Sequence, residues 1–360
     1  EPNPEKEDAV SVDAEHVKAK PAFQAGVFAS YHVYPYYPEM MRYAPELLED
    51  DPPNSYKSYL SKLVDYHTMP VVISEFGVPS GRGITHLARE ARFNQGGLTE
   101  KEQGNALVSM LGDISETGCA GACMFIWQDE WFKRTWNTMD YTDAESRAYW
   151  CDVQTSEQFF GLLSYDPGEE AVCTVDGDAG EWDNMKPLVK NGGKELYVKS
   201  DEAYVYLLLK GGDKQTRITL DTIPEQGNSQ YDGADFSVEL NGKKNSRILI
   251  DPYYDVNYWL YTNGTYSSSK VLEVQEGYAE KNSSRFVPIN LMLNGPVLLT
   301  DGTLVGTEQI ETGKLRHGNA NPQSDKYNSR ADFCIKGNIT EIRLPWLLLN
   351  IPAPNRKMRI

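Results

Sequence analysis

The chain has 360 residues, a hydrophobic share of 40%, 22 Tyr and 7 Trp, enough apolar and aromatic material for two or three packed domains. Its formal charge is −17, near −15 over residues 1–170 and near −2 over 171–360, so the first part repels nucleic-acid phosphates and anionic membranes and favours neutral partners. No apolar run approaches the ~18–20 residues of a membrane span, and the polar opening EPNPEKEDAV shows no signal-peptide pattern.

Residues 25–165 alternate apolar strands with helical patterns. AGVFASYHVYP (25–35) predicts a strand, and in NSYKSYLSKLVDYH (54–67) Tyr56, Tyr59, Leu60, Leu63 and Val64 recur at helical spacing. PVVISEF (70–76) predicts the next strand, followed by a long Gly-rich loop over 77–98. Thr99 with Glu102 makes a capping box, Leu107, Met110, Leu111 and Ile114 an apolar face, and Gly118 a stop. AGACMFIW (120–127) predicts a third buried strand, with Cys119 and Cys123 as two small core thiols. Near-continuous apolar strands separated by helices indicate parallel β/α units.

Past Asp166-Pro167-Gly168 the texture changes to short alternating segments such as ELYVKSD, AYVYLLLKGG, RITLDT, DFSVELNGKKN, SRILIDPY, NYWLYTNG and KVLEVQEG, ending with EIRLPWLLLN. Turn signals every ~8–12 residues, Asn241-Gly242 and Asn263-Gly264 among them, predict an antiparallel β-sandwich. The division expected is therefore 1–168 and 172–360, with the boundary between Gly161 and Val175. Five Cys and five scattered His make no metal framework, and no Gly-rich phosphate loop opens a helix, so neither metal nor cofactor is expected.

Three predicted strands end on polar or aromatic groups: Ser30-Tyr31-His32-Val33-Tyr34-Pro35, Ser74-Glu75-Phe76-Gly77, and Trp127-Gln128-Asp129-Glu130-Trp131. In β/α barrels the C-terminal strand ends line the site. A carboxylate, an imidazole, a phenol and an indole there suit a sugar. The first can attack an anomeric carbon, the next two can hold it, and the indole offers an apolar face to a pyranose ring. Glu75 reads alternatively as an ion-pair partner for Arg82 or Arg92, and His32 and Trp127 as packed side chains. His86, Asn94 and Gln95 are candidate wall residues in the long loop, and Trp131, Trp136 and Asn137 could extend the cleft.

SYHVYP, VVISEFG and MFIWQDEW resemble strands six, seven and eight of the retaining β-glycosidase (β/α)8 barrels, particularly glycoside hydrolase families 2 and 5, over roughly residues 22–165. The resemblance implies a nucleophile at Glu75, His32 and Tyr34 beside it, and a sugar platform at Trp127. Asp129 and Glu130 are then substrate-hydroxyl contacts or a solvated loop pair. The family's acid/base follows an Asn at the end of strand four; this chain contains no Asn-Glu dipeptide and no counterpart of strands one to five. The expectation is a C-terminal fragment, a partial TIM barrel inactive alone, since retention needs two carboxyls ~5–5.5 Å apart.

VDGDAGEWDNMKPL, KELYVKSDEAYVYLLLKG, DGADFSVELNG and EIRLPWLLL resemble family 9-type carbohydrate-binding modules and their DOMON-like relatives. Asp176-Gly177 reads as a turn or a loose calcium contact, and Trp182 as a core anchor. Tyr253, Tyr254, Tyr258 and Trp259 are either sugar platforms or core aromatics. The resulting expectation is a glycoside hydrolase or transglycosylase acting on β-linked oligo- or polysaccharide, with a missing N-terminal barrel segment as a further partner. The rival is a non-catalytic carbohydrate-binding or cell-surface protein. Polysaccharide substrates and the sequons at Asn263, Asn282 and Asn338 suggest a secreted or surface location.

Overall fold

The computed structural model describes residues 14–49, 52–88, 92–135, 153–165, 171–212, 215–257, 280–294, 297–299 and 301–352. Trp136, Asn137, Cys151, Asp166-Pro167-Gly168, Tyr258, Trp259 and Asn263 lie outside them. The fold is mixed: two α-helices flank a parallel sheet, and antiparallel sheets dominate the rest, among the described residues.

In the N-terminal unit, β1 (Ala29–His32), β2 (Val71–Phe76) and β5 (Gly121–Met124) pair in parallel in the order β1-β2-β5. Helices α1 (Ser55–Tyr66) and α2 (Glu100–Glu116) make the return connections β1→β2 and β2→β5. The Thr99–Glu102 box predicted from its spacing caps α2 with both of its bonds present, and α1 is capped by Asn54, which accepts from Lys57 N at 3.2 Å. Tyr56 and Leu60 of α1 and Leu107, Met110 and Ile114 of α2 pack on Ala29, Val71 and Ile73, burying one face of the sheet.

The other face is open among the described residues: Ser30 and Cys123 are exposed, Val72 and Ser74 half-buried. This corrects two expectations. Among the described residues, β5 is not a buried strand but an edge strand with an uncovered side. Its Cys123 is exposed and Cys119 half-buried, so they are not a pair of core thiols. Leu111, expected on the apolar face of α2, is 51% exposed beside the still more exposed Val108, because no third helix packs on that flank among the described residues. The first strand covers only Ala29–His32 of the expected 25–35. The loop over 77–98 contains a small antiparallel pair, β3 (Ile84–His86) with β4 (Gln95–Gly96).

In the C-terminal unit, β6 (Val189–Asn191), β7 (Lys194–Ser200), β8 (Tyr204–Lys210), β17 (Phe333–Lys336) and β18 (Ile339–Pro345) form one antiparallel sheet in the order β17-β18-β8-β7-β6. β9 (Gln215–Leu220), β10 (Phe236–Asn241), β11 (Arg247–Ile250) and β12 (Val287–Pro288) form a second, ordered β12-β11-β10-β9. Leu207, Leu209, Ile342 and Leu344 of the first sheet share a core with Ile218, Phe236, Val238, Leu240, Ile248 and Ile250 of the second. The alternate residues Tyr206 and Leu208 of β8 pack the opposite way, against Trp182, which explains why YVYLLLK reads as an unbroken apolar run. Two short pairs complete the unit: β13 (Asn290–Asn294) with β16 (Glu308–Glu311), and β14 (Val297–Leu298) with β15 (Leu304–Val305).

Trp182 is the core anchor expected. Its indole N–H donates at 2.9 Å to Glu341, a fully buried carboxylate of β18 that also accepts from Gly177 N at 2.7 Å and Asp176 N at 3.0 Å. Asp176 makes the turn: one oxygen accepts from Asp178 N at 2.8 Å and the other from the Asn321 amide at 2.9 Å. Tyr254 is buried in the sandwich core and Tyr253 packs against it, the core reading rather than that of exposed platforms.

Polar bonds join the two units. Arg42, its side chain fully buried, pairs with Glu308. Arg82 bonds Asp332 Oδ1 at 3.1 Å, Gln154 Oε1 at 2.6 Å, Thr312 O at 2.5 Å and Lys314 O at 3.2 Å. The Tyr327 hydroxyl donates to Glu100 at 3.0 Å.

Candidate functional site

Because β1, β2 and β5 are parallel, their C-terminal ends reach the same edge. Glu75 is the next-to-last residue of β2, and its cross-strand partner on β1 is His32, reached through a one-residue register shift after Tyr31. The Val33 N–H then donates to Glu75 O at 3.0 Å. The outcome is convergence on one oxygen. The Tyr34 hydroxyl donates to Glu75 Oε2 at 2.8 Å, and His32 Nδ1 lies 3.1 Å from the same atom. Oε1 carries no hydrogen bond among the described residues.

Glu75 is 30% exposed and His32 58% exposed, so the carboxylate keeps access to water, which answers the desolvation cost of ending an apolar strand on a charge. Arg82 and Arg92 pair instead with Asp332 and Asp113, which removes both as partners for Glu75. Burial, then the bond to Glu75, pushes the Tyr34 phenol well above the ordinary range, so it stays a donor. Below the rim, the Ser30 hydroxyl donates to Ser74 Oγ at 2.8 Å, tying β1 to β2 on the open face.

The Gly in Ser-Glu-Phe-Gly has a local cause. A Cβ on Gly77 would lie 2.4 Å from Phe125 O, so only glycine lets the chain leave β2 where the continuation of β5 passes. Gly161 serves the same purpose in the neighbouring layer, since its Cβ would fall 2.3 Å from Asp129 N. That closeness lets residues 160–163 run beside 126–129, with Leu162 N donating to Ile126 O at 3.1 Å and Leu163 N to Trp127 O at 3.0 Å.

Trp127 is 66% exposed beside the exposed Leu162 and Leu163, an apolar ledge past the end of β5 rather than a core position. Asp129 clamps the loop, Oδ1 accepting from Gly161 N at 2.8 Å. Glu130 has Lys133 Nζ at 3.6 Å, and its N–H donates to Gln158 O at 3.1 Å. Of the expected wall residues, His86 stacks on Tyr36 at 5.6 Å, and its imidazole is pushed down to about 4 by burial and by Arg42. Asn94 accepts from Ala88 N at 2.6 Å as a turn residue, and Gln95 donates to Glu157. The β3–β4 pair also carries contacts to the C-terminal unit, so this loop is a wedge at the seam as much as a wall. Trp131 stacks on Tyr165 at 5.7 Å.

Glu157 is the residue that sequence reasoning missed. Its carboxyl is pushed up to about 7, chiefly by burial, with Lys133 and the Gln95 bond pulling it down and Glu130 adding to the rise. The signal available was a single charge set in Thr-Ser-Glu-Gln-Phe-Phe just before two aromatics.

Between the two units lies a cavity of 20 Å³ lined by residues including Gln154, Ile289, Leu291, Thr312 and Leu348, room for one water and no ligand, and it touches none of Glu75's partners. Among the described residues no group of three His, Cys, Asp or Glu is arranged to hold a metal ion, and no helix is long and apolar enough to cross a membrane. Comparison with protein-family models, with curated proteins and with solved structures finds no match.

Proposed function

We propose that this chain is the C-terminal part of a retaining β-glycoside hydrolase or transglycosylase: strands six to eight of a (β/α)8 barrel followed by a carbohydrate-binding-like sandwich. The observation that carries the reading is Glu75 at the C-terminal end of a parallel strand, with Tyr34 and His32 on one oxygen and the other carrying no hydrogen bond among the described residues. Glu75 attacks the anomeric carbon as the bond to the leaving oxygen breaks, giving a glycosyl-enzyme. Water or an acceptor hydroxyl then displaces the carboxylate. The leaving oxygen takes its proton from an acid on further barrel strands; those strands would pair at the outer edges of β1 and β5 to close the barrel, with the open face of the sheet turned to its interior. Trp127 stacks on the sugar ring.

The test is covalent trapping. An activated 2-deoxy-2-fluoro-β-glycosyl fluoride has a leaving group that needs no acid, so it labels the nucleophile directly. Mass spectrometry of the peptide holding residue 75 should show the added sugar in the native protein and none in Glu75→Gln. Equal labelling of the variant, or labelling elsewhere only, refutes the assignment.

A second reading, a non-catalytic glycan-binding protein, is favoured by one observation: no second carboxyl bonds to Glu75 or to its two partners among the described residues. It predicts retention on a β-glycan affinity gel without trapping.

A further inference from the structure

Three rings stack face to face from the seam between the units to the rim. The His86 imidazole stacks on Tyr36 with centroids 5.6 Å apart and 17° between planes, and Tyr36 stacks on Tyr34 at 5.7 Å and 23°. Tyr34 then donates to Glu75 Oε2 at 2.8 Å, and Phe160 meets its ring edge-on at 6.0 Å. Tyr36 is 3% exposed and its hydroxyl makes no hydrogen bond among the described residues. Packing therefore holds this ring, and the rings on its two faces set its place. The backbone fixes only the turn, in which Tyr34 and Tyr37 exchange N–H···O bonds at 2.8 and 3.1 Å.

The far end of the stack is anchored from the other unit. Arg42 ends the short helical turn Glu39–Arg42, and its side chain is fully buried. Nε donates to Leu87 O at 3.0 Å, Nη1 reaches His86 Nδ1 at 3.4 Å, and Nη2 pairs with Glu308 of β16. A guanidinium only donates, so Nδ1 is the accepting nitrogen and the ring proton sits on Nε2. One planar group thus grips the backbone after β3, the first ring of the stack and a carboxylate of the C-terminal unit. A buried ion pair is a poor source of stability, since an apolar pair of similar volume often does as well or better. What this pair supplies is a fixed direction for the guanidinium, and through it for His86.

We propose that Glu308, on the C-terminal unit, is a positioning residue of the Glu75 site, acting through Arg42 and the His86-Tyr36-Tyr34 stack. Its functional meaning rests on Glu75 being the reacting carboxylate; the link from Glu308 to Tyr34 needs no sugar. With Glu308 in place, Arg42 holds His86 against Tyr36, and Tyr36 backs the phenol that bonds Glu75. Without it, Tyr36 shifts and the Tyr34 bond to Glu75 lengthens. The seam also offers a control. Asp332 makes a second largely buried pair across it, with Arg82 at 3.1 Å, and bonds Arg316 N at 2.8 Å but none of the three rings.

The experiment is NMR of the full chain with ¹³C in the tyrosine rings, Tyr34 being assigned by its loss in Tyr34→Phe, together with the rate of trapping at Glu75 by the 2-deoxy-2-fluoro-β-glycosyl fluoride. Glu308→Gln should displace the Tyr34 ring resonances by more than their linewidth. It should also slow trapping by about 2- to 30-fold, the span that coupling through packed networks covers. Asp332→Asn should change neither. Tyr34 resonances that stay put in folded Glu308→Gln, or move as far in Asp332→Asn, overturn the proposal, as does a moved ring with an unchanged trapping rate. If Glu308→Gln does not fold, His86→Leu takes its place by removing the first ring of the stack, and an unmoved Tyr34 there overturns the proposal. A Tyr34 that moves in a protein that is never trapped refutes the enzymatic reading alone. Trapping of the native chain with an unmoved Tyr34 refutes this one alone.

Discussion

Glu341→Ala should cripple the sandwich. The Glu341 carboxylate is fully buried and accepts from Trp182 Nε1, Gly177 N and Asp176 N at 2.7–3.0 Å, with the Cys173 thiol 3.6 Å from Oε1. Alanine leaves three N–H donors without an acceptor in a site sealed from water. At about 1–3 kcal/mol for each abandoned donor, the loss is roughly 3–9 kcal/mol. A domain's whole stability is about 5–15 kcal/mol, so the variant should be unfolded or close to it under native conditions. Glu341→Gln keeps the volume and one acceptor but points amide hydrogens at one set of donors, and should cost roughly half as much. The assay is urea unfolding followed by Trp fluorescence and far-UV circular dichroism, with slope and midpoint reported separately. The reasoning fails if Glu341→Ala lies within about 1 kcal/mol of the native chain at an unchanged slope, because surface substitutions alone move stability that little.

Further outcomes follow from the same structure. Glu308→Gln removes a carboxylate paired with the buried Arg42 guanidinium and should lower urea-measured stability by about 3–5 kcal/mol, whereas the double change Arg42→Met with Glu308→Leu should recover most of it. Trp127→Ala, at a 66% exposed position, should change stability by no more than about 0.5 kcal/mol yet reduce retention on a β-glycan gel; unchanged retention would refute the platform role. For Glu157, the folded carboxyl is pushed up to about 7 from an ordinary 4.5, so the unfolded chain releases that proton first. Its contribution to stability is therefore complete below pH 4.5 and is lost as pH rises towards about 7, up to ~3 kcal/mol in all. Stability measured across that window should decline less in Glu157→Gln than in the native chain, and parallel curves would contradict the assignment.

Local chemistry was the most legible aspect of the sequence. The Thr99–Glu102 box caps its helix where its spacing predicted, because a cap is decided within four residues. The parallel order of the three strands followed from continuous apolar runs separated by helices. Burial was less legible, because it depends on what lies across from a residue. Leu111 and Cys123 have core chemistry and sit on faces that nothing covers among the described residues. At the rim, Glu75, His32 and Tyr34 could be anticipated as neighbours, since they end adjoining strands. Their meeting on one oxygen depends on a register shift that no residue pattern marks. Glu157 was hidden in an irregular segment, where periodicity says nothing. Arg42 and Glu308 are 266 residues apart and belong to no motif.

Under the proposed glycan reading, the Arg42 and Arg82 bonds have a consequence for how long the ligand must be. If the two units were joined by a slack tether, a sugar polymer held at one would find the other at a concentration set by tether length, and any polymer beyond a few sugars would gain. Here Arg82 alone ties residues 154, 312, 314 and 332 together, and the spacing between rim and sandwich is built in. Should both units hold glycan, the pair acts as a ruler. A polymer too short to span the gap gains nothing from the sandwich, and one that just spans it gains abruptly.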